Sequence, residues 1–352
     1  MTERPISWDE IFEKLTEKQN LSDLQINWAM SQILDGLANN DQIKNFLLLL
    51  KAKGEKPSEV RALVDVMYQR GIAINIAERA VDIVGTGGDG ASTINISTTA
   101  AIITTAAGAR TIKHGNRAAS SKSGAADLLE ALGIDISLGA EQIQECVRRI
   151  GIGFAFAPVF HPAMKNAASA RRELATPTVF NILGPLANPA KPKAVAIGVA
   201  RAELLELVAT VLAERGCEGF IFRGDDGLDE ISLSTTSTIY QINKGEITRH
   251  IFDPSEIGLE RVGIEELRGG TPSENADITR AIFAGRGGAY RQAVLLNAAA
   301  AIAAFKADFH LGLTQQLANG YTLAKQAVDS GAAAQLVERW ANLSTELAKS
   351  SL

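Results

Sequence analysis

The chain has 352 residues, of which 46% are apolar and 21% charged, with a formal net charge of −5. That length suffices for two domains or one large one with a sizeable core. The acidic balance argues against a general nucleic-acid binder, which carries a basic excess, so any anion site must be a local concentration of positive potential. Cys146 and Cys217 stand in no CxxC or Cys/His spacing and read as buried thiols of a reducing compartment. The opening stretch MTERPISWDEIFEKL carries acidic residues and no apolar h-region, which does not read as a signal peptide. The longest apolar run, NAAAAIAAF at 297–305, is too short to span a bilayer. The expectation is a cytoplasmic protein with no membrane partner.

Residues 8–70 read as helices. SDLQINWAMSQILDGL starts at a candidate N-cap, Ser22, and its Leu24, Ile26, Trp28, Ala29, Ile33 and Leu34 fall roughly on one side. NDQIKNFLLLLKAKG and KPSEVRALVDVMYQRG follow, each ending at a glycine. The pattern then changes. A short apolar strand, Val81 to Val84, runs into the glycine-rich GTGGDG; STTAAIITTAAGA reads as a helix of small residues, and RTIKHG as a second strand. Strand, loop, helix, strand is the start of an α/β sheet. AMKNAASARREL (163–174) is helical again and could rejoin the N-terminal helical unit, while FNILGPLANPA (180–190) reads as a rigid Gly/Pro connector. AVAIGVA, the amphipathic AELLELVATVLAERG and GFIFRG repeat the alternation, TIYQINKGEITRHIF reads as a hairpin turning at Asn243 to Gly245, and the last third is alanine-rich helix.

Two loops follow short strands. In GTGGDGASTINIST (85–98) the glycines let backbone N–H groups approach an oxyanion, and Ser97 and Thr98 add hydroxyls at the helix start. Asp89 is out of place beside phosphate unless it accepts from a sugar hydroxyl or organises the loop. The loop is neither a Walker A sequence nor GxGxxG, and a plain strand-to-helix turn is the alternative. In KHGNRAASSKSG (113–124), Lys113, Arg117 and Lys122 are separated by residues too small to build a core, and Ser120, Ser121 and Ser123 offer hydroxyls. This suits a pyrophosphate better than a single carboxylate; a solvated turn is the alternative. His114 beside it reads equally as a structural histidine or a substrate contact.

DDGLDE (225–230) follows a strand and holds four carboxylates. Carboxylate oxygens suit Mg²⁺, whose other ligands are commonly waters and substrate phosphates. A solvated acidic turn explains Asp225 and Asp226 well, but Asp229 and Glu230 less well, because they run straight into the apolar ISL. Arg171 and Arg172 in ARREL point about 100° apart on a helix, so one can face a cleft where its planar fork would bind a carboxylate. Surface ion pairs are the alternative.

Taken together, GTGGD, NIST, KHGNRAASSKSGAADLLEALG, HPAMKNAASARREL, TVFNILGPLANPA and GLDEIS, in this order across nearly the whole chain, resemble the anthranilate phosphoribosyltransferases of tryptophan biosynthesis. The resemblance implies an α/β protein with a small all-helical domain (1–78 with about 163–190). It also implies a larger α/β domain (79–162 and 191–352), whose central mixed, mostly parallel sheet is flanked by helices. The implied substrates are 5-phosphoribosyl-1-pyrophosphate (PRPP) and anthranilate, with Mg²⁺, two ions per subunit, and the implied assembly is a homodimer. By motif position, PRPP falls to Gly85, Gly88, Asp89, Thr93, Asn95, Ile96, Ser97, Thr98, Lys113, His114, Gly115, Asn116, Arg117, Ala118, Ala119, Ser120, Ser121 and Ala125. Anthranilate falls to Gly85, His114, Asn116 and Arg171, and metal to Ser97, Asp229 and Glu230; no residue is assigned as acid or base. The chain departs from the family pattern at Pro177, Ala125 and Arg223. Two rivals are a pyrimidine nucleoside phosphorylase and a catalytically silent, nucleic-acid-binding relative. The intact donor motifs disfavour both.

Overall fold

The computed structural model describes residues 5–118 and 121–350. Helix α1 (Trp8–Thr16) begins where the side chain of Ser7 accepts the N–H of Glu10, and α2 (Asp23–Leu34) where Ser22 and Gln25 form a reciprocal capping box. In α3 (Asn40–Lys53) Asn39 and Gln42 repeat the box, and Gly54 ends the helix at φ 88°. Helix α4 (Pro57–Arg70) has proline in its first turn and stops at Gly71. Of the residues expected to face inward on α2, Ile26, Ala29, Ile33 and Leu34 are buried and Trp28 is half-buried, but Leu24 is 69% exposed. It sits in the first turn, ahead of the surface that α4 covers.

Seven strands form one sheet: β1 (Val81–Gly85), β2 (Thr111–Gly115), β3 (Ile152–Phe156), β4 (Ala194–Gly198), β5 (Glu218–Gly224), β6 (Ser237–Asn243) and β7 (Glu246–Phe252), in the order β3-β2-β1-β4-β5-β6-β7. The first five run parallel, and β6 and β7 are added antiparallel. The β6–β7 hairpin turns at Lys244 and Gly245, both with positive φ (51° and 84°), the backbone a tight hairpin needs.

The remaining helices are α5 (Ile96–Ala106), α6 (Ala125–Ala131), α7 (Ala140–Ile150), α8 (Ala157–Phe160), α9 (Ala168–Leu174), α10 (Phe180–Leu186), α11 (Ala202–Glu214), α12 (Pro272–Phe283), α13 (Ala289–Lys306), α14 (Leu313–Asp329) and α15 (Ala332–Lys349). The helical reading of 163–174 resolves into a 3₁₀ turn, Pro162–Ala167, followed by α9. The stretch read as a connector at 180–190 is instead helical through α10, with Pro185 inside it. A helix this short loses little by lacking one N–H, and it buries Phe180, Ile182, Leu183 and Leu186. The run after the basic loop, which reads as helix-like, is α6, whereas strand β3 and helix α7 carried no reading from sequence.

Alternate residues on the strands divide the core. Val195, Ile197 and Ile221 pack with α1–α4, α10 and α11 in one apolar cluster, while Ala194, Ala196 and Phe220 join α5–α7 and α13–α15 in the other. Cys146 is buried and Cys217 half-buried; both are free thiols whose pKa burial pushes up, to about 12 and about 11. No helix among the described residues is long and apolar enough to cross a membrane. The chain runs outward from β1 through β2 to β3, then restarts on the other side of β1 with β4. That reversal opens a crevice at the carboxyl ends of the strands, where ligands bind in open parallel sheets.

Candidate active site

Strands β1, β2, β4 and β5 each end in a glycine at this crevice: Gly85, Gly115, Gly198 and Gly224. Two of them are demanded by Asp229. A Cβ on Gly85 would collide with its carboxylate, and one on Gly198 with its backbone carbonyl. After β5 the chain leaves the sheet, passes Gly227 at φ 103°, and runs irregularly to Glu230. Asp229 Oδ2 accepts the N–H of Gly87 at 2.6 Å, and Glu230 Oε1 accepts the N–H of Ser97 at 3.1 Å. Behind them, Asn297 on α13 locks Ile231 by accepting its N–H (2.8 Å) and donating to its carbonyl (3.1 Å). Ser97, Asp229, Glu230 and Gly85 are therefore brought together.

Lys113 joins this group rather than the loop that follows it. It is 1% exposed, and its Nζ donates to the carbonyl of Ile83 at 2.5 Å and to Ser97 Oγ at 3.3 Å. Burial lowers its pKa, while Asp82, Glu230 and Asp229 pull the other way. Burial raises Asp229 to about 7, helped by nearby Asp89, and drives Glu230 well above the carboxylate range. Asp82 is raised by burial to about 6, restrained by the Lys113 ammonium and by the Asn188 amide, which donates to it at 2.8 Å. Lys113 is thus the internal counter-charge of a buried acidic cluster.

The rest of the two loops is arranged as follows. Gly88 (φ 83°) lies in the turn after β1, and Asp89 accepts the N–H of Ala91 at 3.2 Å. Thr93 forms a bridge with Arg268. Ile96 and Thr98 are buried in the first turn of α5, with Ile96 in the core. The Asn95 amide is spent inside the protein, donating to the carbonyl of Ser123 (2.9 Å) and accepting from Ser123 Oγ (2.9 Å) and Asn275 (2.8 Å).

In the second loop, Arg117 is held by Glu130 (2.5 and 2.9 Å) and Asp127 (2.8 Å) and lies 5.6 Å from the centre of the Phe156 ring. Asp127 also takes the N–H groups of Ala118 and Gly124, and Asn116 Oδ1 that of Arg117. Ser121 is exposed, its hydroxyl donating to the carbonyl of Ser123 at 3.3 Å. Ala125 opens α6 against Gly115. Ala119 and Ser120 lie outside the described residues.

On the acceptor side, His114 is 2% exposed and burial pushes its imidazole down to about 3, so the ring is neutral. Its Nδ1 lies 2.8 Å from the carbonyl of Gly184, which can only accept, so the proton sits on Nδ1. Nε2 is left as a bare acceptor without a partner among the described residues. Arg171 is exposed on α9, its guanidinium 5.9 Å from the centre of the Phe180 ring, with no ion pair or hydrogen bond among the described residues. Gly198, Asp82 and Asn188 escaped the sequence reading. A glycine closing a strand was the one signal available for the first; nothing local marked the other two.

Two family models cover the chain: a glycosyl transferase family helical bundle domain over residues 9–71, and a glycosyl transferase family a/b domain over residues 77–334. The anthranilate phosphoribosyltransferase of Rhodococcus jostii (strain RHA1) is 50% identical over 344 residues, covering 98% of this chain and 95% of its own. The chain belongs to the anthranilate phosphoribosyltransferase family. Among solved members of that family, the Thermus thermophilus enzyme superposes with a TM-score of 0.88 at 37% identity, covering 95% of this chain and 99% of its own. The Saccharomyces cerevisiae anthranilate phosphoribosyltransferase, solved in complex with PRPP and Mg, gives 0.87 at 27% identity over 96% and 98%.

The residues present fit such a cation. Asp229, Glu230 and the Ser97 hydroxyl are hard oxygen donors, and burial lets the two carboxyl groups ionise only at a cost that a cation would relieve. Among the described residues, no three acidic, histidine or cysteine side chains form a metal-holding group. A metal here would complete its shell with water and substrate oxygens, the habit of Mg²⁺.

Proposed function

We propose that this protein transfers the 5-phosphoribosyl group of PRPP to the amine of anthranilate, giving N-(5-phosphoribosyl)anthranilate and pyrophosphate, the second step of tryptophan synthesis from chorismate. The observation that carries the reading is the buried Asp229–Glu230 turn. It is folded onto the N–H groups of Gly87 and Ser97 with the Lys113 ammonium beneath, at the crevice of a family member. PRPP lies in that crevice, its phosphates toward the loop from Asn116 to Ser121, between a helical domain (1–78 with about 163–190) and an α/β domain (79–162 and 191–352). Anthranilate sits on the other side, its carboxylate toward the guanidinium of Arg171.

The amine nitrogen forms a bond to C1′ as the bond from C1′ to the pyrophosphate oxygen breaks, and the electron pair leaves with pyrophosphate. An aromatic amine is neutral at pH 7 and needs no base to attack; its proton is lost during or after attack. Mg²⁺, two ions per subunit at Ser97 and at Asp229 with Glu230, supplies charge neutralisation to the leaving group when bound. The protein's own part is to align the two substrates and to keep water away from the cationic sugar. The protein works as a cytoplasmic homodimer, and the exposed Leu24, Leu37 and Leu48 of the helical bundle are candidates for the dimer contact.

The test is loss of anthranilate fluorescence on mixing with PRPP and Mg²⁺. No loss, together with phosphate-dependent cleavage of a pyrimidine nucleoside, would transfer the protein to the phosphorolytic class.

A further inference from the structure

We propose that Asn275 is a positioning residue for this reaction, resting on the function proposed above: its buried amide ties the glycine-rich loop to the basic loop. The two loops thereby meet the donor's phosphates as one unit.

Asn275 stands at the start of α12 and is 1% exposed. Its Oδ1 accepts the N–H of Gly270 at 2.8 Å, and its Nδ2 donates to Asn95 Oδ1 at 2.8 Å. Asn95 in turn donates to the carbonyl of Ser123 at 2.9 Å and accepts from Ser123 Oγ at 2.9 Å. Backbone groups fix both amides. The Gly270 N–H can only donate and the Ser123 carbonyl can only accept, so neither amide can turn over without setting like against like. One oriented chain of hydrogen bonds therefore runs from α12, through the residue that precedes α5, into the loop after β2.

Asn95 gives up its local role to take part. It is the N-cap of α5, where an asparagine side chain ordinarily accepts a first-turn N–H, yet it makes no such bond. The N–H of Ser97, one of those it would take, goes to Glu230 instead. The segment ahead of α12 holds the glycine-rich loop through its backbone: Ile94 N–H donates to the Leu267 carbonyl and Gly269 N–H to the Ser92 carbonyl, both at 2.9 Å. A Cβ on Gly269 would stand 2.7 Å from the Thr93 carbonyl oxygen and 2.9 Å from Asn275 Oδ1. The Asn275–Asn95 bond extends that hold to Ser123 in the second loop. Asn275 is buried away from substrate, so its influence passes through Asn95, and loosening it costs binding without removing any group that meets the donor.

Calorimetry with PRPP and Mg²⁺, beside steady-state kinetics on the full chain, tests the tie. For Asn275→Ala the PRPP Kd and KM should rise about tenfold, the effect of leaving the loops correctly arranged in about one molecule in ten, with the anthranilate KM unchanged. Thr279→Val breaks the buried Thr99–Thr279 hydroxyl contact (3.1 Å) made by the same helix; it should lower the melting temperature and leave PRPP affinity as it was. Ser123→Ala removes the hydroxyl at the far end, and on top of Asn275→Ala it should add less than its own effect, because both act through Asn95. In the substrate-free protein, Asn275→Ala should quicken hydrogen exchange at 123–126, where the N–H groups of Gly124 and Ala126 are held internally. Wild-type PRPP affinity in Asn275→Ala, equal loss toward both substrates, the same PRPP loss from Thr279→Val, or full multiplication of the Asn275 and Ser123 effects overturns the tie. If Asn275→Ala does not fold, Asn275→Ser is judged by the same criteria. If the wild type turns over no anthranilate, the proposed function falls, and exchange at 123–126 still judges the tie.

Discussion

The backbone N–H of Ser97 donates to Glu230 Oε1 at 3.1 Å, although 133 residues separate the two in the chain. One carboxylate thereby orients the start of α5 and remains available on its other edge. Replacing Glu230 by Gln keeps an oxygen for Ser97 and removes the charge. Activity should fall by about a hundredfold or more, the scale of losing one electrostatic contributor in such a site, and its Mg²⁺ dependence should shift to higher concentration. Thermal stability without Mg²⁺ should not fall, because a buried acid has been neutralised. Activity against Mg²⁺ at saturating PRPP is the measurement; an unaltered profile removes Glu230 from the metal site.

Arg171→Ala should weaken anthranilate use selectively. An unpaired guanidinium meeting a carboxylate contributes about 2 kcal/mol, which corresponds to roughly 30-fold in kcat/KM for anthranilate. The PRPP parameters should hold steady. Steady-state kinetics with each substrate varied decides, and equal effects on both would deny Arg171 the carboxylate.

Gly198→Ala tests the packing under the acidic turn. The new methyl has no room against the Asp229 carbonyl, so the turn must lift, at about 1–3 kcal/mol of stability and a loss of PRPP binding far larger than that figure implies for the fold. Calorimetric PRPP titration beside a melting curve measures both. Wild-type PRPP affinity would mean that the turn's position does not matter.

The loop of the KHGN segment was legible as a cluster of small, hydroxylated and basic residues, and the start of α5 as a hydroxyl-bearing helix after glycines. What those patterns could not show was direction. Lys113 reads as one of three loop cations, yet it occupies a strand position whose side chain points into the protein, and the reason lies in Asp82, Asp229 and Glu230, remote in sequence. Arg117 likewise looks free for phosphate until Asp127 and Glu130, one helix further on, take it. Helix α10 was hidden because Gly184 and Pro185 are ordinarily breakers, and its burial against α4 and β2 outweighs them. Asn188 gave no signal because an isolated amide in a Pro-rich stretch looks like a turn residue; its partner is on β1.

Asp82→Asn should change how stability responds to pH. The carboxyl titrates near 6 in the folded protein and near 3.9 when unfolded. Between those values the folded state holds the extra proton, so stability falls as pH rises from about 4 through about 6. Asparagine cannot ionise and removes that decline. Melting temperatures from pH 4 to 7 should converge or cross, with the variant gaining on the wild type as pH rises. Parallel curves would show that Asp82 is ionised throughout.

Ser121→Asp places a carboxylate where phosphate is proposed to lie. Circular dichroism should be native, since Ser121 is exposed and its one side-chain hydrogen bond among the described residues is to the Ser123 carbonyl, while PRPP titration should fail. Undiminished PRPP binding would move the phosphates away from this loop.

The glycine loop and the turn that secures it are 142 residues apart, and Asn297, which fastens the turn, comes 66 residues later still. At typical synthesis rates the first gap alone lasts roughly seven to thirty seconds. Throughout that time the emerging loop has no carboxylate to meet its N–H groups, although helices α1–α4 ahead of it are already made. The catalytic crevice is thus a late event in the life of each molecule, closed from the C-terminal side, and a chain truncated before α13 would carry every donor-loop residue without the means to hold them in place.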